Sequence, residues 1–332
     1  MTADGEPRPN PAPDRPGASI FTIEGRAAPG LFVVGWLASI LGLTLVVVGA
    51  LGGSALLLYV IGPGLLSVGL IAGAGNQAIE RRARGEPYAG PSPFVLFAAI
   101  IAVSYFFGAL VGLVLEAVFS AAGLDVAGPA GQLLSGVLTA IVFVGLVRLL
   151  VVGTGALRWS EMGLRRFDRG ALADLLLGAA YAFPVVVVTA ILAAVLVALF
   201  RVVSPSPLPP TGQLSGLLVQ LVAGAIIAPI AEEIVFRGFA VTAWRRTIGA
   251  QRAIVRATLL FALAHVVSIQ ASSFGEAIGL IVVGMGTRLP VAYVLGLLFV
   301  RRGSIWAPIG LHAAFNGLLL VLAHLALTSA SP

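Results

Sequence analysis

Long apolar segments, separated by short polar connections, follow one another along most of the chain. A helix needs about 20 apolar residues to cross a membrane, whereas a barrel strand needs only about ten. The apolar runs are much longer than barrel strands, so the pattern predicts transmembrane helices, which satisfy their backbone polar groups internally. The predicted spans are residues 31–50, 54–76, 94–122, 131–153, 172–200, 214–240, 253–270, 276–300 and 304–327.

The span at residues 276–300 is the least regular, because Arg288 and Pro290 lie near its middle. A surface or re-entrant piece over residues 274–287, followed by a shorter span, also fits this stretch. Arg288 and Glu276 could form a gate or a loop–helix contact, but the favoured interpretation is that they only solvate such a surface segment. The sequence thus predicts an all-α polytopic membrane protein, a bundle of about eight to nine transmembrane helices.

Composition supports a membrane protein and excludes several kinds of site. Hydrophobic residues make up 59% of the 332 residues and charged residues only 10%, against about 25% charged in soluble domains. The 41 glycines suit close approach of helices in lipid. The absence of cysteine excludes disulfides, thiolate nucleophiles and cysteine metal sites.

The basic residues predict the orientation in the membrane. All are arginines. Fifteen of the twenty lie in the N-terminal tail or at alternate connections between the predicted spans, and two more, Arg148 and Arg256, lie just inside the spans that flank these connections. The positive-inside rule therefore places the N-terminus in the cytoplasm and, for nine spans, the C-terminus outside. Because these arginines border the membrane, the net charge of +6 does not indicate nucleic-acid binding. Arginine in place of lysine, with abundant Ala, Gly and Pro, suggests a GC-rich bacterial genome and hence a bacterial plasma membrane.

Three regions follow from this pattern. Residues 1–30 are polar and rich in Pro and Gly, which predicts a disordered cytoplasmic tail. Residues 31–200 form the N-terminal transmembrane helices. Residues 210–327 hold the polar residues that we expect to carry the chemistry. The sequence shows no internal repeat and no soluble domain.

Glu232, Glu233 and Arg237 are the most unusual residues, because they lie inside an otherwise apolar span. Ionised groups within a membrane cost several kcal/mol and are usually functional. Glu233 and Arg237 are four residues apart on one helix face, so we expect them to pair. Glu232 points about 100° away from Glu233 and is free to face a cavity.

Histidines on two later spans provide partners for these carboxylates. Counted from the cytoplasmic ends at about 1.5 Å per residue, Glu232, His265 and His312 reach comparable depths. Asn316 lies four residues after His312 and projects from the same face. His324 lies further outward. We therefore expect a shared intramembrane polar site nearer the cytoplasmic face.

These residues resemble a known family. Glu-Glu-x-x-x-Arg, Phe-x-x-x-His and His-x-x-x-Asn occur in this order on three late helices, as in the CAAX prenyl protease and bacteriocin-processing family of intramembrane endopeptidases (CPBP, also called Abi). The resemblance covers about residues 210–320 and includes Gly296, Arg301, Ser304, Trp306 and Pro308. The first half of the chain carries no diagnostic motif.

The resemblance implies peptide-bond hydrolysis within the membrane. It implies that Glu232 acts as general base on a water, with Glu233 and Arg237 as the accompanying pair. It likewise implies that His265 and His312 are essential and that Asn316 steadies the oxyanion. Two schemes stay open: a metal-free glutamate and histidine mechanism, or a divalent metal such as zinc held by Glu232, His265 and His312.

Three functions compete at this point. The first is an endopeptidase of the plasma membrane, acting on a peptide or a membrane-tethered protein. The second is a non-proteolytic immunity or scaffolding protein that binds a toxin or a sensor. The third is a proton-coupled transporter, which also keeps charged residues at mid-depth. Transporters often show internal repeats, whereas the polar groups here are confined to the last third, which favours the enzyme.

Overall fold

The computed structural model describes residues 23–123, 125–203, 212–267 and 269–330, and these residues form a helical bundle. Most of the predicted tail at residues 1–30 and the whole Pro-rich connection at 204–210 lie outside this part. The described helices are α1 (Pro29–Gly52), α2 (Leu57–Ala83), α3 (Pro93–Ala121), α4 (Pro129–Val152), α5 (Arg169–Phe200), α6 (Leu214–Ile248), α7 (Ala250–Ala264), α8 (Phe274–Arg302) and α9 (Trp306–Ala330).

This architecture confirms the predicted fold class, a polytopic all-α membrane protein. All of the described helices except α7 are long and apolar enough to cross a membrane. Many large apolar side chains on their outer faces are exposed, as expected for surfaces in contact with lipid.

Helix α7 is shorter than the predicted span at 253–270. It has 15 residues and ends at Ala264, and His265 caps it. The Nδ1 atom of His265 lies 2.9 Å from the carbonyl oxygen of Phe261, while the backbone N–H of His265 bonds to the oxygen of Ala262. The imidazole thus takes the carbonyl that would have continued the helix, and His265 lies at the end of α7 rather than within a span.

Helix α8 has the interruption that the sequence suggested. Its first part runs over Phe274–Gly286 and its second over Leu289–Arg302, with a turn at Thr287 and Arg288. Pro290 lacks an N–H and cannot bond to the carbonyl of Gly286, which favours a break at this point. The first part agrees with the piece predicted at residues 274–287.

Helix α6 changes its winding twice around the acidic pair. It is π-helical over Leu221–Ile227 and again over Ile234–Val241, with an α-helical turn over Ala228–Glu233 between them. Pro229 cannot donate to the carbonyl of Ala225, which helps to explain the wide turn before the acidic pair. Single π-turns within α-helices frequently occur at functional sites.

Close backbone contacts bring α5 and α9 together. A Cβ atom added at Gly178 would lie 1.9 Å from the oxygen of Ala307, and one added at Gly310 would lie 2.0 Å from the oxygen of Leu175. In lipid, where the hydrophobic effect does not drive helices together, small residues allow this kind of packing. The contact fixes the first half of α9 against the bundle.

A buried carboxylate joins α5 to the end of α8 on the side predicted to be cytoplasmic. Asp174 is 3% exposed and lies 2.6 Å from Nη2 of Arg302 and 3.6 Å from Nη2 of Arg165. On the same side, Glu161 pairs with Arg246 at 2.6 Å. The backbone N–H of Arg158, followed by the guanidinium of Arg246, lowers the pKa of Glu161, so this pair stays charged at neutral pH.

Candidate active site within the membrane-spanning helices

A fully buried ion pair on α6 is the centre of the site. Glu233 and Arg237 both have 0% exposure, and Nη1 of Arg237 donates to Oε1 of Glu233 at 2.8 Å. This confirms the predicted pairing across one turn. Nη2 of Arg237 donates to the carbonyl oxygen of Ala292 at 3.1 Å, which ties α6 to the second part of α8.

The same carboxylate oxygen holds a histidine from α9. Nδ1 of His312 lies 2.7 Å from Oε1 of Glu233, and His312 is 4% exposed. Because this oxygen also accepts from Arg237, Glu233 is best satisfied as a carboxylate, and Nδ1 of His312 carries the proton. The other ring nitrogen, Nε2, is then available to a second group.

That second group is Glu232. Nε2 of His312 lies 3.8 Å from Oε2 of Glu232, which is too long for a direct hydrogen bond. The Glu232 side chain is 21% exposed, while its Oε2 atom is buried and has no hydrogen-bond partner among the described residues. Glu232 therefore differs from Glu233: its Oε2 lies near the histidine without a partner, whereas Oε1 of Glu233 accepts from Arg237 and contacts His312.

His265 joins the cluster through an aromatic side chain. The ring of Phe261 lies 4.6 Å from the ring of His265 and 5.6 Å from that of His312. The guanidinium carbon of Arg237 lies 4.5 Å from the centre of the same ring. Glu232 and His312 are also close enough to His265 to interact with it electrostatically. Phe261 thus packs against both motif histidines and the buried arginine.

Asn316 lies one turn after His312 on α9, but its amide faces another partner. Its Nδ2 donates to the carbonyl oxygen of Gly224 at 2.8 Å. Gly224 belongs to the first π-helical segment of α6, where the changed winding leaves this carbonyl open to a side chain. Asn316 therefore joins α9 to α6, with one N–H engaged and the other available.

Both histidines are held in the same tautomer. The Nδ1 atoms of His265 and His312 lie within hydrogen-bond distance of oxygen acceptors, the carbonyl of Phe261 and the carboxylate of Glu233. In this tautomer Nδ1 carries the proton, and the uncharged form of each ring presents the lone pair of Nε2. With Glu232 beside them, the two rings form a set suited to accepting and passing on protons.

The proposed metal ligands are not arranged as a metal site. In the described ranges, no group of three His, Cys, Asp or Glu side chains has the geometry to hold a metal ion. The tautomers do suit ligation through Nε2, but Glu232, His265 and His312 do not converge closely enough. The donor set does not fit a divalent metal in this arrangement.

Sequence reasoning did not identify two backbone groups at the site. The carbonyls of Gly224 and Ala292 accept from Asn316 and Arg237, and nothing in the residue types marks them. The role of Phe261 was visible only as the first residue of the Phe-x-x-x-His pattern. His324, predicted to lie outside the site, has no contact with it among the described interactions.

The fold and site define a polytopic membrane protein with a buried carboxylate, arginine and histidine cluster in its last four helices. Residues 214–318 match the family model described as Type II CAAX prenyl endopeptidase Rce1-like. The match covers about a third of the chain, and it confirms the predicted resemblance of this segment to the CAAX prenyl protease and bacteriocin-processing proteins. No curated protein and no solved structure matches the chain.

Proposed function

We propose that this protein is an intramembrane endopeptidase in which Glu232 activates the attacking water. The observation that carries the proposal is the buried series Arg237, Glu233 and His312, which fixes Nε2 of His312 at 3.8 Å from Oε2 of Glu232. A rigid imidazole beside a free carboxylate is an arrangement that moves protons. The family of residues 214–318 independently favours a protease.

The reaction then proceeds in two steps. Glu232 removes a proton from a water molecule, and the water oxygen bonds to the scissile carbonyl carbon, whose π electrons move onto the carbonyl oxygen. As the tetrahedral intermediate collapses, the carbon–nitrogen bond breaks and the proton held by Glu232 passes to the leaving amine. His312, fixed through Nδ1, orients and shares this proton, and His265 and Asn316 complete the site.

The proposed substrate is a peptide bond in a membrane-associated protein or a peptide, reached from the cytoplasmic side of a bacterial plasma membrane. Arg245 and Arg246 border the predicted cytoplasmic face, and Glu232 lies deeper in the membrane on the same helix. This position supports an approach of the substrate from the cytoplasmic side. A zinc or other divalent ion bound by Glu232, His265 and His312 would require these side chains to move together.

Comparative mass spectrometry of membrane peptides tests the function. Wild-type cells and cells with Glu232→Gln are compared, with and without a chelator. We expect fragments that disappear in the variant, because amide cannot accept the proton and loss of a general base costs about 10²–10⁴-fold in rate. Insensitivity of cleavage to the chelator would agree with the metal-free arrangement.

Glu116→Gln is the matched control. Glu116 is exposed and lies near the C-terminal end of α3, whereas α3 contacts α6 near its N-terminal end, through Phe97 and Phe236. This variant should retain every fragment. If Glu232→Gln protein is normally expressed, leaves the fragments unchanged and still supports the cellular phenotype, the protein acts by binding rather than by hydrolysis.

A further inference from the structure

Arg288 occupies the break in α8, between the two helical parts. Its Nη1 donates to the carbonyl oxygen of Gly284 at 2.7 Å, a carbonyl near the end of the first part. The side chain is half-buried. The interpretation of Arg288 as a group that merely solvates a surface segment does not account for this placement.

The position of α8 brings Arg288 to the site. Ala292, whose carbonyl accepts from Arg237, lies one turn after Arg288, so the two residues share a face of the helix. Arg288 interacts electrostatically with Glu232 and with His265. The guanidinium therefore lies on the same side of α8 as the catalytic carboxylate.

Arg288 has no acidic partner of its own. Among the described residues, no carboxylate lies within ion-pair distance of its guanidinium, in contrast to Arg237, Arg246 and Arg302. A guanidinium has five N–H donors, and the bond to Gly284 uses one. An arginine in a spanning helix without an acidic partner is a candidate functional group.

Few hydrogen-bond donors at the site are free to stabilise an oxyanion, the role that the resemblance assigned to Asn316. Asn316 gives one N–H to Gly224. The neutral His265 ring gives its N–H to Phe261 and presents a lone pair, which repels an anion. The negative charge that develops on the scissile carbonyl oxygen therefore needs a further donor, and a cation at low dielectric provides the largest stabilisation.

We propose that Arg288 is a catalytic residue that stabilises the oxyanion of the tetrahedral intermediate. This inference rests on the proposed endopeptidase function. When water attacks, the electrons of the carbonyl double bond move onto its oxygen, and the free N–H groups of Arg288 donate to it. As the intermediate collapses, the electrons on the oxygen re-form the carbonyl double bond and the carbon–nitrogen bond breaks. Arg288 only donates hydrogen bonds in these steps, so it is neither consumed nor deprotonated.

Kinetics in proteoliposomes test this role with a synthetic peptide that spans a cleavage site found by the membrane-peptide comparison. Arg288→Gln should lower kcat by about 10²–10³-fold, as for loss of one oxyanion donor, with KM changed by less than about threefold, because the interaction forms in the transition state. Arg288→Lys, which keeps the charge, should recover part of kcat. Arg256→Gln, an exposed arginine on α7, is the matched control and should retain wild-type kinetics.

A second measurement separates catalysis from folding. A phosphinate version of the peptide, which mimics the anionic intermediate, should bind wild type more tightly than the neutral methylene version, and Arg288→Gln should abolish this preference while still binding the neutral peptide. A raised KM with unchanged kcat would instead assign Arg288 to an anionic group of the substrate and overturn the proposal. Unchanged kinetics of Arg288→Gln would also overturn the proposed role of Arg288. Cleavage by the wild-type protein would in that case still support the endopeptidase function. No cleavage by wild type would overturn both.

Discussion

At the scale of single residues, the feature with the largest consequences is the buried ion pair between Arg237 and Glu233. Two opposite charges without solvent exposure are costly to desolvate, so they stabilise the fold only while both are present. Here Glu233 also holds His312. The pair therefore links the stability of α6 to the orientation of the His312 imidazole in the proposed active site.

Removal of the arginine should destabilise the protein strongly. Arg237→Met leaves Glu233 as an uncompensated buried charge, and breaking a buried pair in this way costs about 3–5 kcal/mol. We expect a marked fall in the midpoint of thermal unfolding in detergent. Arg245→Met, an exposed arginine on the same helix, is the control. Equal midpoints for the two variants would contradict a stabilising role of the buried pair.

At the scale of helices, the site depends on irregular segments. The π-helical segments of α6 enclose the acidic pair, α7 ends where the His265 ring takes a carbonyl, and α8 breaks at Arg288. Each irregularity frees a backbone group or places a polar side chain inside the bundle. Regular helices would have satisfied these carbonyls internally.

The contact between α5 and α9 gives a prediction at this scale. Gly310→Ala would place a methyl group 2.0 Å from the backbone oxygen of Leu175, so α9 must move away from α5. Because Gly310 is two residues before His312, we expect loss of both thermal stability and peptidase activity. Destabilisation of about 1–3 kcal/mol is typical of overpacking.

Gly317→Ala provides the comparison on the same helix. Its methyl group would lie 3.8 Å from the Cβ atom of Ala225, an ordinary contact. This variant should retain near wild-type stability and activity. Loss of stability in Gly317→Ala equal to that in Gly310→Ala would show that α9 tolerates no glycine substitution, and the explanation through the α5 contact would fail.

At the scale of the whole molecule, the protein combines a lipid-facing apolar exterior with arginines at one set of connections. The predicted orientation places Arg84, in the connection before α3, in the cytoplasm and Ala122, directly after α3, outside. Helix α7, with 15 residues, is about 22 Å long, which is short for a membrane about 30 Å thick. Whether it carries the chain across decides the side on which Ser272 lies.

The absence of cysteine from the chain permits a direct test with single substitutions. Arg84→Cys should be protected from a membrane-impermeant maleimide added to intact cells, whereas Ala122→Cys should react. Ser272→Cys should also react if all nine predicted spans cross. Labelling of Arg84→Cys in intact, sealed cells would reverse the predicted orientation.

The sequence by itself determined the class of fold, most of the helices long enough to cross the membrane, the Glu233–Arg237 pair and the resemblance of the last third to a known family. These follow from local periodicity and from residue types whose cost in lipid is high, both of which can be read along the chain. Only the tertiary structure decided that His312 shares the Glu233 oxygen with Arg237, that Asn316 bonds to Gly224, and that Arg288 interacts electrostatically with Glu232. The contacts of His312 and Asn316 join helices distant in sequence, which local periodicity does not determine. The contact of Asn316 also runs through a backbone carbonyl, which every residue possesses and which no residue type marks.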